Sequence, residues 1–150
     1  MSTGRLFEGK RVLVFGVAND RSIAWGIAQA MSEEGARFAF TFAGEAFEKR
    51  VRPLSETVDT DLVMQCDVTN DAEVDEVFRQ VEEKWGGLDV LVHSVAYANK
   101  EDLEGNFRDT SRDGFLKAME VSAYSLVSLS RRAAPLLAKS GGNIITLSYY

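Results

Sequence analysis

KRVLVFGVANDRSIAWGIA, residues 10–28, is the stretch whose reading decides the fold. Val12 to Phe15 is an apolar run too short for a helix and too uniformly apolar for a strand with one wet face. It predicts a central parallel strand buried on both sides. Gly16 ends the run, where a residue without Cβ lets the chain turn sharply and lets a ligand come close to the backbone. A polar loop, Val17 to Arg21, then delivers Ser22 as the N-cap of a helix. The first turns of that helix carry free N–H groups and the positive end of the dipole, an anion site best suited to a pyrophosphate. Gly26 costs the helix about 1 kcal/mol against alanine, which predicts tight packing of helix on strand, with Ala24, Ala28 and Ala30 completing a narrow face. The glycines are not spaced as G-x-G-x-x-G, so on this stretch alone a strand-turn-helix without ligand remains an alternative.

Outward from this unit the pattern repeats. Glu33-Glu34-Gly35 predicts a helix stop with Gly35 in the left-handed cap, and Phe38 to Phe42 a second strand. Gly44 opens a helix from Glu45 to about Val58 that Pro53 should kink or split. Leu62 to Cys66 reads as a third strand ending in Asp67-Val68. Asn70 and Glu73 then resemble a capping box for a helix whose apolar stripe is Val74, Val77, Phe78, Val81 and Trp85. Gly86-Gly87 stops it, Leu88 to Val95 is a fourth strand, and residues 96–110 form the longest irregular stretch, of the kind that holds substrates. Ser111 to about Ser140 reads as one long helix with two apolar faces. Phe115, Met119, Leu126 and Ala133 form one, and Leu116, Ala123, Val127 and Ala134 the other, so that one can cover a sheet and the other meet a second subunit. Asn143 to Ser148 is a fifth strand leading into Tyr149-Tyr150.

Alternation of strand and helix predicts an α/β fold, a Rossmann-type doubly wound parallel sheet with helices on both faces. Right-handed crossovers give the strand order 3-2-1-4-5, with ligands at the carboxyl ends near the switch point between strands 1 and 4. The chemistry is therefore expected around Gly16, Phe42, Asp67, Val95 and Tyr149.

The 150 residues suit one domain, and 45% hydrophobic with 27% charged residues is ordinary for a globular protein. A net charge of −6 with scattered cations argues against nucleic acid as a main partner. One cysteine, Cys66, excludes an internal disulfide and points to a reducing compartment. MSTGRLFEGK lacks the apolar core of a signal peptide, and no run reaches the roughly 18 apolar residues of a membrane span. A cytoplasmic location with no membrane contact is the expectation.

Four motifs in order carry a family resemblance: Gly16-Val-Ala-Asn-Asp-Arg-Ser22-Ile23-Ala24-Trp-Gly26, Cys66-Asp67-Val68, Val92-His93-Ser94-Val95-Ala96-Tyr97-Ala98 and Thr146-Leu147-Ser148-Tyr149. Together they resemble the bacterial enoyl-acyl-carrier-protein reductases, a divergent branch of the short-chain dehydrogenase/reductases. The likeness runs from about Gly9 to the last residue. It implies NADH as cofactor, with Gly16, Ser22 and Ile23 at its ribose and pyrophosphate, Asp67 and Val68 at the adenine, and Val95 near the nicotinamide ribose. It implies a backbone contact to substrate from Ala98, and Tyr149 as the first of two active-site tyrosines. The second, with its lysine in a Tyr-x6-Lys arrangement, is expected beyond residue 150, so that residues 1–150 are the N-terminal portion of a single reductase domain. The implied substrate is an enoyl thioester on acyl carrier protein, and the implied assembly a homo-oligomer, dimer or tetramer. Ala43 stands where some members carry a polar residue, and no arginine follows strand 2 to receive a 2′-phosphate, so NADH is preferred to NADPH. Glu45 stands near where an acidic residue often reads the ribose.

Several residues have plainer readings. His93, in a buried strand, reads as a hydrogen-bonded core residue rather than a base, and Cys66 as a small buried apolar group rather than a nucleophile. Asp67 can serve as a turn residue as well as a ligand. The carboxylates from Asp71 to Glu83 read as a solvated face, not a metal site. Two other functions stay open: a short-chain dehydrogenase acting on a carbonyl or alcohol, and a nucleotide-binding module without turnover. Against the first, Tyr149 follows Ser148 where such enzymes place a serine, and Ser122 stands where many have asparagine.

Overall fold

The computed structural model describes residues 5–148, so Tyr149 lies outside the described residues. In chain order the elements are β1 (Arg11–Phe15), α1 (Ile23–Glu33), β2 (Arg37–Phe42), α2 (Glu45–Ser55), β3 (Thr60–Gln65), α3 (Asp71–Trp85) and β4 (Val90–His93). There follow α4 (Lys100–Leu103), a 3-10 turn (Phe107–Asp109), α5 (Arg112–Met119), a π turn (Glu120–Tyr124), α6 (Ser125–Ala138) and β5 (Asn143–Thr146). The strands pair in parallel in the order β3-β2-β1-β4-β5, as expected.

Strand periodicity divides the core. Leu13, Phe15 and Leu91 point to the face covered by α3 and α6, where they meet Val74, Val77, Phe78, Val81, Leu129 and Leu136. Val12, Val14, Phe38, Phe40 and Val92 point to the other face, against Ala24, Trp25, Ala28 and Met31 of α1 and Val51 of α2. The central strand is dry on both sides because each of its residues from Val12 to Phe15 is fully buried.

Helix ends follow their caps with one exchange of partners. Gly35 and Gly86 take positive φ at the ends of α1 and α3, relieving the steric penalty any other residue would bear there. Asn70 Oδ1 accepts from the Ala72 and Glu73 amides, as a cap should, but Glu73 does not complete the box. Its carboxylate instead accepts the Asp67 amide at 2.7 Å, tying the end of β3 to the start of α3. The acidic face of α3 is paired: Asp71 and Asp75 with Arg132 of α6, and Glu76 and Glu83 with Arg79.

Other expectations need correction. Gly26 is exposed, and a Cβ there meets nothing within 4 Å, so of the expected narrow face only Ala24 and Ala28 are buried. Pro53 sits in the last turn of α2, where it forgoes one bond to the carbonyl four residues earlier with only two residues of helix left, and the helix ends at Ser55 without a split. Strands β4 and β5 are shorter than their apolar runs. The stretch from 96 to 110 contains α4 and the 3-10 turn rather than loop alone.

The largest departure is in the long helix. Its π turn inserts a residue, which rotates everything downstream by about 100° relative to an uninterrupted helix. The buried face of α6 is therefore Ser125, Ser128, Leu129, Ala133, Leu136 and Leu137. Of the eight residues on the two expected faces only Ala133 is buried, and Phe115 and Met119 are about half exposed, at 51% and 48%.

Candidate functional site

The carboxyl ends of four parallel strands open into one cleft of about 400 Å3. Gly16, Val17 and Ala18 form its floor at the end of β1, Thr41 to Ala43 one wall after β2, and Cys66 to Thr69 a second after β3. Ser94 to Tyr97 close it from β4, while Phe47 of α2, Lys117 of α5 and Val121 of the π turn reach in from the helices. Of the residues expected from sequence, this brings together Gly16, Asp67, Val68 and Val95. Ser22, Ile23 and Ala98 stand outside the lining, as does Glu45.

Gly16 has φ 109°, and a Cβ on it would overlap the carbonyl of Ser94. The glycine is thus required first by the close approach of the β4 chain, which donates Ser94 N–H to Phe15 O at 3.0 Å. An open approach for a ligand over the same point is a second use of that geometry.

Ser22 occupies the N-cap position of α1, but its hydroxyl does not cap the helix. It accepts instead from the Ala18 and Asn19 amides at 2.9 and 3.0 Å, while Asn19 Oδ1 accepts from Arg21 N–H at 2.8 Å. The serine therefore shapes the loop that lines the cleft. The Trp25 and Gly26 amides donate to Ser22 O at 3.0 and 3.2 Å, which leaves the amides of Ile23 and Ala24 in the first turn of α1 open to an anion. Ile23 begins that turn and is 67% exposed.

Asp67 shows both readings in one place. Its Oδ1 accepts from Thr69 N–H at 2.9 Å and from the Thr69 hydroxyl at 2.8 Å, a turn-forming role. The side chain is nevertheless exposed along the cleft, and Oδ2 has no partner among the described residues. Cys66 beside it is buried, and burial, with Glu73 and Asp67 adding negative charge, pushes its thiol up to about 12. It is an apolar wall residue, as its sequence position suggests.

Sequence reasoning missed the groups that hold the β4 loop. Tyr97 N–H donates to Ser122 Oγ at 3.0 Å, and the same hydroxyl donates to Tyr97 O at 3.2 Å, so one serine of the π turn clamps both backbone groups. The Tyr97 hydroxyl donates to Asn99 Oδ1, and Lys117 Nζ lies 5.7 Å from its ring centroid. Lys117 and Val121 are one turn apart, a spacing that puts them on one face. Nothing in the sequence says that this face meets the cleft, because the π turn sets it. His93 is a core residue as read: 3% exposed, with Nδ1 3.0 Å from Thr146 Oγ1 and Nε2 2.8 Å from Ser125 Oγ. Among the described residues no cluster of His, Cys, Asp and Glu could hold a metal ion, and no helix is long and apolar enough to cross a membrane.

Residues 16–150 match the family model described as enoyl-(acyl carrier protein) reductase. The chain belongs to that family. Enoyl-acyl-carrier-protein reductase (NADH) of Aquifex aeolicus is 51% identical over 145 residues, 97% of this chain and 54% of the relative. The Bacillus subtilis enzyme of the same name is 47% identical over 144 residues, 95% of this chain and 55% of the relative. The chain thus spans about half the length of the curated relatives it matches. Its fold superposes on the crystal structure of the Aquifex reductase with a TM-score of 0.93 at 51% identity, covering 97% of this chain and 64% of that one. The reductase of Anaplasma phagocytophilum, crystallised in complex with NAD, gives a TM-score of 0.93 at 46% identity, covering 100% of this chain and 57% of that one. The doubly wound parallel fold read from the sequence is the fold of this family.

Proposed function

We propose that the protein is an NADH-dependent reductase of the 2,3 double bond of enoyl thioesters carried on acyl carrier protein, in fatty acid synthesis. Residues 1–150 form the N-terminal portion of its single dinucleotide-binding domain. The observation that carries this reading is the cleft at the β1–β4 switch point, where Gly16, Asp67, Val68 and Val95 converge in a chain of this family.

The residues present fit a dinucleotide. The Ser22 hydroxyl is engaged by its own loop and leaves the amides of Ile23 and Ala24 open to a pyrophosphate. Asp67 has a carboxylate oxygen that would accept from the adenine amine, Val68 would hold the ring, and Val95 would lie near the nicotinamide ribose. Bound NADH supplies the hydride for C3 of the substrate. The chain's own part is to orient the cofactor, exclude water with Phe42, Phe47 and Val121, and hold the β4 loop by the Ser122 clamp so that the Ala98 backbone meets the substrate. A hydroxyl donor aimed at the thioester oxygen stabilises the negative charge that develops there. Tyr149 is assigned as the first of the two active-site tyrosines by the family resemblance, and the second tyrosine and lysine of the Tyr-x6-Lys pair would complete the site.

The exposed apolar row Phe115, Leu116, Met119, Tyr124 and Val127, each about half exposed, suits a second copy of the chain, in a homodimer or homotetramer. A cytoplasmic setting agrees with the single buried thiol. The deciding experiment is loss of NADH absorbance by the full-length enzyme with a crotonyl thioester, a simple ketone, or no substrate. Turnover with the thioester alone is expected, and turnover with the ketone alone would give the dehydrogenase reading. Tyr149→Phe should change kcat or KM with NADH affinity nearly constant, and unaltered kinetics would remove Tyr149 from the site.

A further inference from the structure

His93 is the one imidazole in the chain, it is buried, and the proposed reaction leaves it unused. Its surroundings fix its protonation. The Ser125 hydroxyl, itself fully buried, donates to Val121 O at 2.6 Å. Having one hydrogen, it can only accept from His93, so Nε2 carries the ring proton. Burial keeps the imidazole below its ordinary pKa and hence neutral at neutral pH. Nδ1 is then an acceptor, and the Thr146 hydroxyl donates to it.

This chain of bonds joins the cleft wall, the start of α6 and the end of β5. Val121 lines the cleft, Ser125 opens α6 after the π turn, and Thr146 is the last residue of β5, paired in register with His93. β5 is bonded on one side only, to β4, among the described residues. We propose that His93 is a positioning residue, a bridge in the Nε2–H form that fixes the carboxyl end of β5 against the π turn and so sets where that turn holds Val121 in the cleft wall and Ser122 on the β4 loop. The catalytic part of this inference rests on the reductase reading above. The bridge itself does not.

The test uses full-length enzyme. Thr146→Val keeps the shape and strand propensity of the side chain but removes the donor to Nδ1. Because small displacements of reacting groups cost up to about a hundredfold in rate, kcat with a crotonyl thioester should fall on the order of tenfold or more. The NADH dissociation constant and thermal midpoint should change little, and Thr146→Ser should restore kcat. Ring-nitrogen NMR of histidine-labelled enzyme, with His93 assigned from His93→Gln, should show the proton on Nε2 in wild type and a shifted Nδ1 resonance in Thr146→Val. A proton on Nδ1, a kcat within about twofold of wild type in Thr146→Val, or a serine variant as slow as the valine would overturn the proposal. If wild-type enzyme does not reduce the thioester, the reductase reading has failed, and the NMR result alone decides the bridge.

Discussion

Replacing Gly16 by alanine should destabilise the fold before it affects any ligand. At φ 109° the backbone is in a region that a residue with a Cβ occupies at a cost of about 1–2 kcal/mol. The new methyl would also overlap the Ser94 carbonyl, which belongs to the backbone after β4 and can retreat only by opening the Ser94–Phe15 contact. Overpacking of that kind costs about 1–3 kcal/mol, for a total of about 2–5 kcal/mol against a typical stability of about 5–15 kcal/mol. In urea this lowers the unfolding midpoint by roughly 1–2 M. The measurement is made on full-length protein without NADH, so that lost cofactor binding does not contribute. Gly26→Ala is the matched control: its φ is helical, its surroundings are open, and it should stabilise by up to about 1 kcal/mol. A Gly16→Ala midpoint equal to wild type would refute the argument that the β4 backbone, rather than a ligand, imposes this glycine.

Asp67→Ala should weaken NADH binding by about 0.5–1.5 kcal/mol, the value of one hydrogen bond to a neutral partner. Calorimetry checks this, and equal affinity would leave Asp67 with its turn to Thr69 alone. Cys66, buried with its thiol pushed up to about 12, should resist iodoacetamide at neutral pH until urea unfolds the chain; mass spectrometry reads the adduct, and rapid alkylation of folded protein would contradict the burial. In acid, two steps of lost stability are expected. The unfolded chain protonates His93 near its ordinary value of 6.5 while the folded chain resists, so stability falls as pH drops through 6.5, by up to about 1.4 kcal/mol per pH unit. For Asp89, burial alone would raise the pKa, but Arg11 outweighs it and holds the group below 3.8, so its contribution is present above 3.8 and lost below it. Thermal midpoints against pH should show the first step in wild type and not in His93→Gln.

Much of the fold was legible because each element buries a strongly periodic or uniformly apolar run. Val12 to Phe15 could satisfy its burial only as a central strand, and the left-handed glycines at 35 and 86 marked where helices stop. The strand ends also placed half of the site, since Gly16, Asp67 and Val95 are carboxyl-end residues whose location follows from topology alone. Gly26 was misleading. A glycine in a helix has a propensity cost that sequence makes visible, but whether a neighbour or open space lies beyond it depends on the helix rotation. Ser22 was half legible: its position as N-cap was right, and its hydroxyl chose the loop amides because the Val17–Arg21 loop folds back within reach.

What could not be read converges on residues 120–124. A π turn has no sequence signature in this stretch, since EVSAY fits an α-helix by propensity, and its formation depends on partners far away in sequence. Ser122 finds Tyr97, 25 residues earlier, and Ser125 finds His93, 32 residues earlier. Those bonds reward an inserted residue that an isolated helix would not accept. The insertion then fixes three outcomes together: Lys117 and Val121 turn toward the cleft, Leu129 and Leu136 turn onto the sheet, and Phe115, Met119 and Val127 are left on the outside. The same few hydroxyl contacts thus couple the wall of the site, the end of the sheet and the exposed apolar face, so a change at Ser122 or His93 is felt at all three.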